Sequence, residues 1–167
     1  MVYKEAMEID KRNTSNKWND AIALEMKQLD DYNTFIDKGI FGSIGIPDGF
    51  KKIRVHLVFA VKHDGRHKAR MCAEGNLTDV PLNSVYAGVV SLRGLRICIL
   101  LAELNGMEAY ATDIGNAYLE AVTQEKVCVK AGPEFGDRER HLLIIYKALY
   151  GLRGENLVTY WPPVLRN

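Results

Sequence analysis

The chain has 167 residues, of which 47% are hydrophobic and 26% charged, with a formal net charge of +1. That balance suits one globular domain and excludes a chain that binds nucleic acid through overall charge, so any basic footprint has to be local. The longest apolar run, Ile97–Ala102, falls far short of the about 20 residues that span a bilayer, and Met1–Asp10 holds no apolar stretch of the secretory kind, so no membrane contact is expected and the chain reads as intracellular, cytoplasmic or nuclear.

Residues 1–15 read as an N-terminal extension. A helix is predicted over about 16–32, because Trp18, Ile22, Met26 and Leu29 recur on one stripe. Ser15 or Asn16 stands where a cap belongs. A loop with several glycines follows, through Pro47–Gly49. Residues 53–62 alternate as one strand, with Ile53, Val55, Leu57, Phe59 and Val61 on a shared face. His63–Arg66 predicts a hairpin turn, of type I′ at Asp64–Gly65. The return strand covers about 67–74, with Ala69, Met71 and Ala73 pointing one way and Lys68, Arg70 and Cys72 the other.

A second helix is predicted over 91–105, capped by Ser91, burying Leu92, Leu95, Ile99 and Ala102, and ended by Gly106. A short strand (107–112), a tight helical turn (115–121) and strands near 126–131 and 141–146 complete the order. Strands and helices that do not alternate regularly favour an α+β fold over a parallel α/β sheet. Cys72, Cys98 and Cys128 are widely spaced and odd in number, so they read as reduced core or strand thiols.

Several residue groups carry candidate chemistry. Asp113, after an apolar approach and before a short helix, suits a metal-binding carboxylate or an N-cap, and spacing alone favours the cap. Tyr118 reads as an aromatic packed beneath that helix. Lys68 and Arg70, two apart on a strand, leave one face roughly 7 Å apart and suit a triphosphate, or a solvated hairpin face. Lys51, Lys52 and Arg54 form a basic cluster able to touch a nucleic-acid backbone. His63 and His67 straddle the turn and read as surface residues, and Asp30–Asp31 as a solvated helix end. No phosphate-binding glycine loop, dinucleotide fingerprint or serine nucleophile elbow is present.

The order of these signals resembles the reverse transcriptase domain of copia-type LTR retrotransposons. The resemblance rests on Trp18, Ala21, Glu25, Leu29 and Tyr32–Phe35, on "HKARMCAEG" (67–75), on "LRICILLAELNGMEAYATDIGNAYLEAVTQEKVCVKAGPEFG", and on "KALYGLR" (147–153). It implies the fingers and the first part of the palm of a right-hand polymerase, incomplete, with fingers over 16–87 and 123–153, partial palm over 88–122, and an unrelated tail over 154–167. It implies that Asp113 and the Ile114 carbonyl bind Mg²⁺, that Lys68 and Arg70 hold an incoming dNTP, and that Tyr118 excludes a ribose 2′-hydroxyl. The implied partners are an RNA or DNA primer–template and a dNTP, and the rest of a polyprotein is missing. The sequence holds no aromatic-x-Asp-Asp motif, which in that family supplies further metal ligands, so the chain is expected to be inactive alone. A nucleic-acid-binding remnant without chemistry and a non-functional fragment are the alternative readings.

Overall fold

The computed structural model describes residues 1–75, 90–110 and 116–152. Helix α2 (Lys17–Asp31) forms where its apolar stripe lies: Trp18, Ile22 and Leu29 are buried, and Met26 packs against the same core. Before it, Tyr3–Asn13 form α1. The cap of α2 differs from expectation. Asn16 precedes the helix but its side chain makes no capping bond. Instead Asp10 of α1 reaches over, its Oδ2 accepting from Trp18 N and Asn19 N, both at 2.9 Å. Ser15 Oγ donates to Asp10 Oδ1 at 2.7 Å, so it orients the capping residue. Two orphan helix donors are thus satisfied from a neighbouring helix.

The loop expected after α2 contains β1 (Phe35–Ile40). The strand expected over 53–62 is two elements, β2 (Lys51–Ile53) and β3 (Val55–Val61), which divide at Arg54 and join different sheets. β3 pairs antiparallel with β4 (His67–Ala73), with Leu57 opposite Met71 and Phe59 opposite Ala69. The turn is not type I′. Gly65 has φ +81° and Asp64 is not in the left-handed region. Gly65 N donates to the Lys62 carbonyl and Lys62 N to the Arg66 carbonyl, which makes a three-residue loop with glycine at its left-handed position. The expected alternation on β4 holds: Ala69, Met71 and Ala73 are buried, while Arg70 is exposed and Lys68 and Cys72 are half-exposed.

β5 (Val127–Lys130) and β6 (His141–Ile145) complete a four-stranded sheet ordered β1-β6-β5-β2, in which only the β2–β5 pairing is parallel. A 3₁₀ helix, Pro133–Arg138, joins β5 to β6. The inner faces of sheet and hairpin close on α2 around Leu29, Ile53, Met71, Leu143 and Ile145, with Phe35 edge-on to Phe135 at 5.3 Å. Trp18 meets Phe59 and His67 edge-on, so His67 is packed rather than a free surface residue.

Helix α3 (Leu92–Leu104) forms as expected, and Ser91 Oγ accepts from Gly94 N at 3.0 Å as its cap. Its expected buried face does not exist: α3 buries no residue, and Leu92, Leu95 and Ile99 are 62%, 46% and 52% exposed. Cys98 is exposed on this helix, whereas Cys72 and Cys128 are the strand thiols expected. Residues 107–110 form no strand, and the remainder of that expected element lies outside the described residues. Helix α4 (Ala117–Glu120) is the tight helical turn.

Candidate functional site

The exposed face of β4 and its outer edge organise the site. Strand geometry sends Lys68 and Arg70 to one face, opposite Ala60 and Val58 of β3. The Arg70 guanidinium lies over the ring of Tyr150, 5.1 Å from its centre. Tyr150 is held there by the backbone. Ala73 N donates to the Tyr150 carbonyl at 2.7 Å, and Tyr150 bridges Cys72 in parallel fashion. The Tyr150–Gly151 end of the run 147–152 therefore lies against the outer edge of β4. At the other end of the run, Ala148 N donates to the Ala121 carbonyl and Lys147 Nζ to the Glu120 carbonyl, which ties it to the end of α4.

Beside β4, a cleft of about 190 Å³ opens between α2 and the hairpin. Its walls carry Lys62, Arg66, His67 and Lys68 from the hairpin and Ala21, Leu24, Glu25 and Gln28 from α2. Asn116 closes one side. Its carbonyl accepts from Leu119 N at 2.8 Å, so Asn116 stands directly before α4. Arg66 is pinned by Asp64 at 2.6 Å, whereas among the described residues no carboxylate makes an ion-pair contact with Lys62 or Lys68 of the cleft. Burial lowers the Lys68 pKa, and the positive charges of Arg70 and Lys62 lower it further, while Glu25 opposes them. Glu25 is half-buried, and burial raises its pKa against the pull of its bond from Met71 N (2.8 Å) and of the charges on Lys68 and Arg70. A polyanion entering the cleft would therefore meet a partly desolvated cationic wall with one carboxylate at its rim.

The structure does not bring every sequence-predicted residue here. Asp113 and Ile114 lie outside the described residues, as does the side chain of Tyr118, whose backbone belongs to α4. Lys51 and Lys52 stand on β2, in the other sheet. There Lys52 Nζ and Lys130 Nζ lie 5.2 and 5.6 Å from the centre of the Phe41 ring. Arg54 points elsewhere, its Nε and Nη2 held by Glu74 Oε2 at 2.9 and 2.8 Å. Asp30 pairs with Arg138 and Asp31 with Lys27, so these two acids anchor separate partners rather than a shared site. Among the described residues no group of three or more His, Cys, Asp or Glu side chains is arranged to hold a metal ion. Residue-by-residue reading missed Tyr150 and Asn116, because their proximity to β4 is created by tertiary pairing, and Lys62, which the hairpin turn brings beside Lys68. Glu25 belongs to the Trp18–Phe35 motif, so its signal was present without a role.

The sequence matches the family described as "Reverse transcriptase (RNA-dependent DNA polymerase)" over residues 16–163. The chain belongs to this reverse transcriptase family, in its copia-type retrotransposon branch. It is 29% identical over 154 residues to the "Truncated transposon Ty1-A Gag-Pol polyprotein" of Saccharomyces cerevisiae, covering 90% of this chain and 13% of that protein. It is likewise 29% identical over 154 residues to the "Transposon Ty1-DR5 Gag-Pol polyprotein" of the same organism, covering 90% of this chain and 9% of the polyprotein. The chain thus spans about a tenth of the length of these curated relatives. No solved structure matches it. No described helix is long and apolar enough to cross a membrane.

Proposed function

We propose that the β4 face and its cleft hold the triphosphate of an incoming nucleotide for RNA-directed DNA synthesis. The observation that carries this reading is the placement of Lys68 and Arg70 on one face of β4, with Lys68 lining a cationic cleft whose rim includes Asn116, three residues beyond Asp113. Arg70 offers a planar fork for two phosphate oxygens, and its stacking on Tyr150 restricts that fork's orientation. Lys68 adds a point charge on the wall of the cleft. Tyr118, on α4, is the proposed barrier to a 2′-hydroxyl, acting by steric clash with the added oxygen. The Asp113 carboxylate and the Ile114 carbonyl are hard oxygen donors of the kind Mg²⁺ accepts alongside substrate phosphates. When bound, the ion supplies charge stabilisation to the transferring phosphoryl group.

In this reading the described elements belong to the fingers and the start of the palm, and Lys51 and Lys52 face the template backbone. The chain itself has no aromatic-x-Asp-Asp sequence, so the full set of metal-binding carboxylates requires residues beyond those it carries. Primer extension on a primed RNA template with Mg²⁺ tests this. The chain alone is expected to incorporate no nucleotide, and robust extension would overturn that expectation. Titration with dTTP tests the triphosphate site. Arg70→Ala is expected to weaken binding about tenfold, the scale of one lost charge-assisted contact, and unchanged affinity would sink the reading.

A second reading, nucleic-acid binding without chemistry, draws on the Lys52–Phe41–Lys130 arrangement, where two ammonium groups flank one aromatic ring. Duplex or single-strand binding whose affinity falls log-linearly with salt, in a chain that binds no dTTP, would favour it.

A further inference from the structure

Glu25 lies in the α2 stretch that the sequence pattern marks, between Ala21 and Leu29, and the triphosphate reading leaves it without a task. A half-buried carboxylate beside an apolar stripe is costly unless it is bonded. Its bond is to backbone: Glu25 Oε1 accepts from Met71 N at 2.8 Å. That donor is available for a geometric reason. Lys62 and Arg66 bond across the hairpin end, and antiparallel pairs alternate from there, so the Leu57–Met71 pair does not exchange hydrogen bonds and Met71 N–H points away from β3. Two residues on, Ala73 N–H points the same way and is taken by the Tyr150 carbonyl. The outer edge of β4 is therefore pinned twice just after Arg70, once by a side chain of α2 and once by the 147–152 run. Among the described residues Glu25 is the acceptor for Met71 N–H, so the α2 pin depends on it.

We propose that Glu25 is a positioning residue for the Lys68–Arg70 pair: its carboxylate fixes the β4 backbone next to Arg70, so that Lys68 at the cleft and Arg70 beside it on the same strand face stand at a set spacing. The inference rests on reading Lys68 and Arg70 as triphosphate ligands. Glu25 makes no contact with the nucleotide in this scheme. Its role is to remove backbone freedom that the triphosphate would otherwise have to restrain, which is the usual benefit of a preorganised site.

The test is dTTP titration of the full chain and its variants, together with hydrogen exchange at the Met71 amide. Glu25→Gln keeps an oxygen that accepts from Met71 N–H, so it is expected to bind dTTP within about threefold of wild type, with Met71 still protected. Glu25→Ala is expected to bind about tenfold more weakly and to lose that protection. Glu25→Asp, which keeps the charge but withdraws it by one methylene, is expected to behave like Glu25→Ala and serves if the alanine variant does not fold. A folded Glu25→Ala or Glu25→Asp variant that binds dTTP as wild type does would overturn the inference, while loss of binding in Arg70→Ala left the triphosphate site standing. If Arg70→Ala also binds as wild type does, the triphosphate site itself is refuted and the positioning role with it.

Discussion

Gly151 has φ +91°, and a Cβ placed on it would fall on the carbonyl oxygen of Ala73. Gly75 faces the same junction, where a Cβ would fall on the Gly151 carbonyl oxygen. Two glycines thus let the chain after Tyr150 pass against the end of β4, which is what brings Tyr150 under Arg70. Gly65 gives the comparison that separates conformation from space: its φ is +81° but nothing lies within 4 Å of its Cβ position. Gly65→Ala is expected to cost only the left-handed penalty, about 1 kcal/mol. Gly151→Ala is expected to cost that plus a backbone displacement, about 3 kcal/mol in urea denaturation. Equal costs for the two variants would show that the Gly151 approach is loose. The Tyr-Gly pair was legible in the sequence only as part of a family pattern, because the reason for its glycine is the Ala73 carbonyl, some 78 residues earlier in the chain (151 − 73).

At the level of elements, the junction of α1 and α2 turns on Asp10. Burial alone would raise its pKa, but the bonds from Asn19 N, Ser15 Oγ and Trp18 N outweigh burial and lower it. Asp10→Ala is expected to lower the melting temperature by several degrees, and Asp10→Asn by less, since an amide oxygen still accepts. The sign of the pH dependence follows from the lowered value. A carboxylate whose folded pKa lies below its unfolded one adds stability above the ordinary value of 3.8 and loses it as pH falls through the folded value. The stability gap between wild type and Asp10→Asn, from urea melts at stepped pH, is therefore expected to be full above about pH 4 and to close below it. A gap that persisted into strong acid would show that the charge contributes nothing.

The same elements show what periodicity can and cannot convey. The α2 stripe was legible because Trp18, Ile22 and Leu29 face one core. Its cap was not, because it comes from the preceding helix rather than from Ser15 or Asn16. Alternation across 53–62 is genuine, yet it carries no information about partners, so the division at Arg54 between two sheets was invisible. β1 was missed for a related reason: Phe35 is its one buried residue, and Asp37, Lys38 and Gly39 in its interior oppose strand signals.

Across the whole molecule, α3 is the element whose sequence and surroundings disagree. Ile97, Leu100, Leu101 and Leu104 add to Leu92, Leu95 and Ile99, so the helix is apolar on more than one side, as in the interior of a larger assembly. All seven are exposed, Leu104 to 72%. An apolar surface of this kind binds hydrophobic dyes and promotes association. We expect the chain to bind such a dye in its native state and to self-associate with rising concentration. The paired substitution Leu100→Lys and Leu104→Glu is expected to reduce both effects while leaving the urea midpoint within about 0.5 kcal/mol of wild type, since neither side chain contributes to the described core. A loss of about 2–5 kcal/mol, the cost of deleting buried leucines, would instead place α3 inside the folded body. The body formed by α2, the hairpin and the four-stranded sheet has its own buried centre at Leu29, Met71 and Leu143. Its stability should therefore be separable from the surface that α3 presents, and these substitutions measure that separation directly.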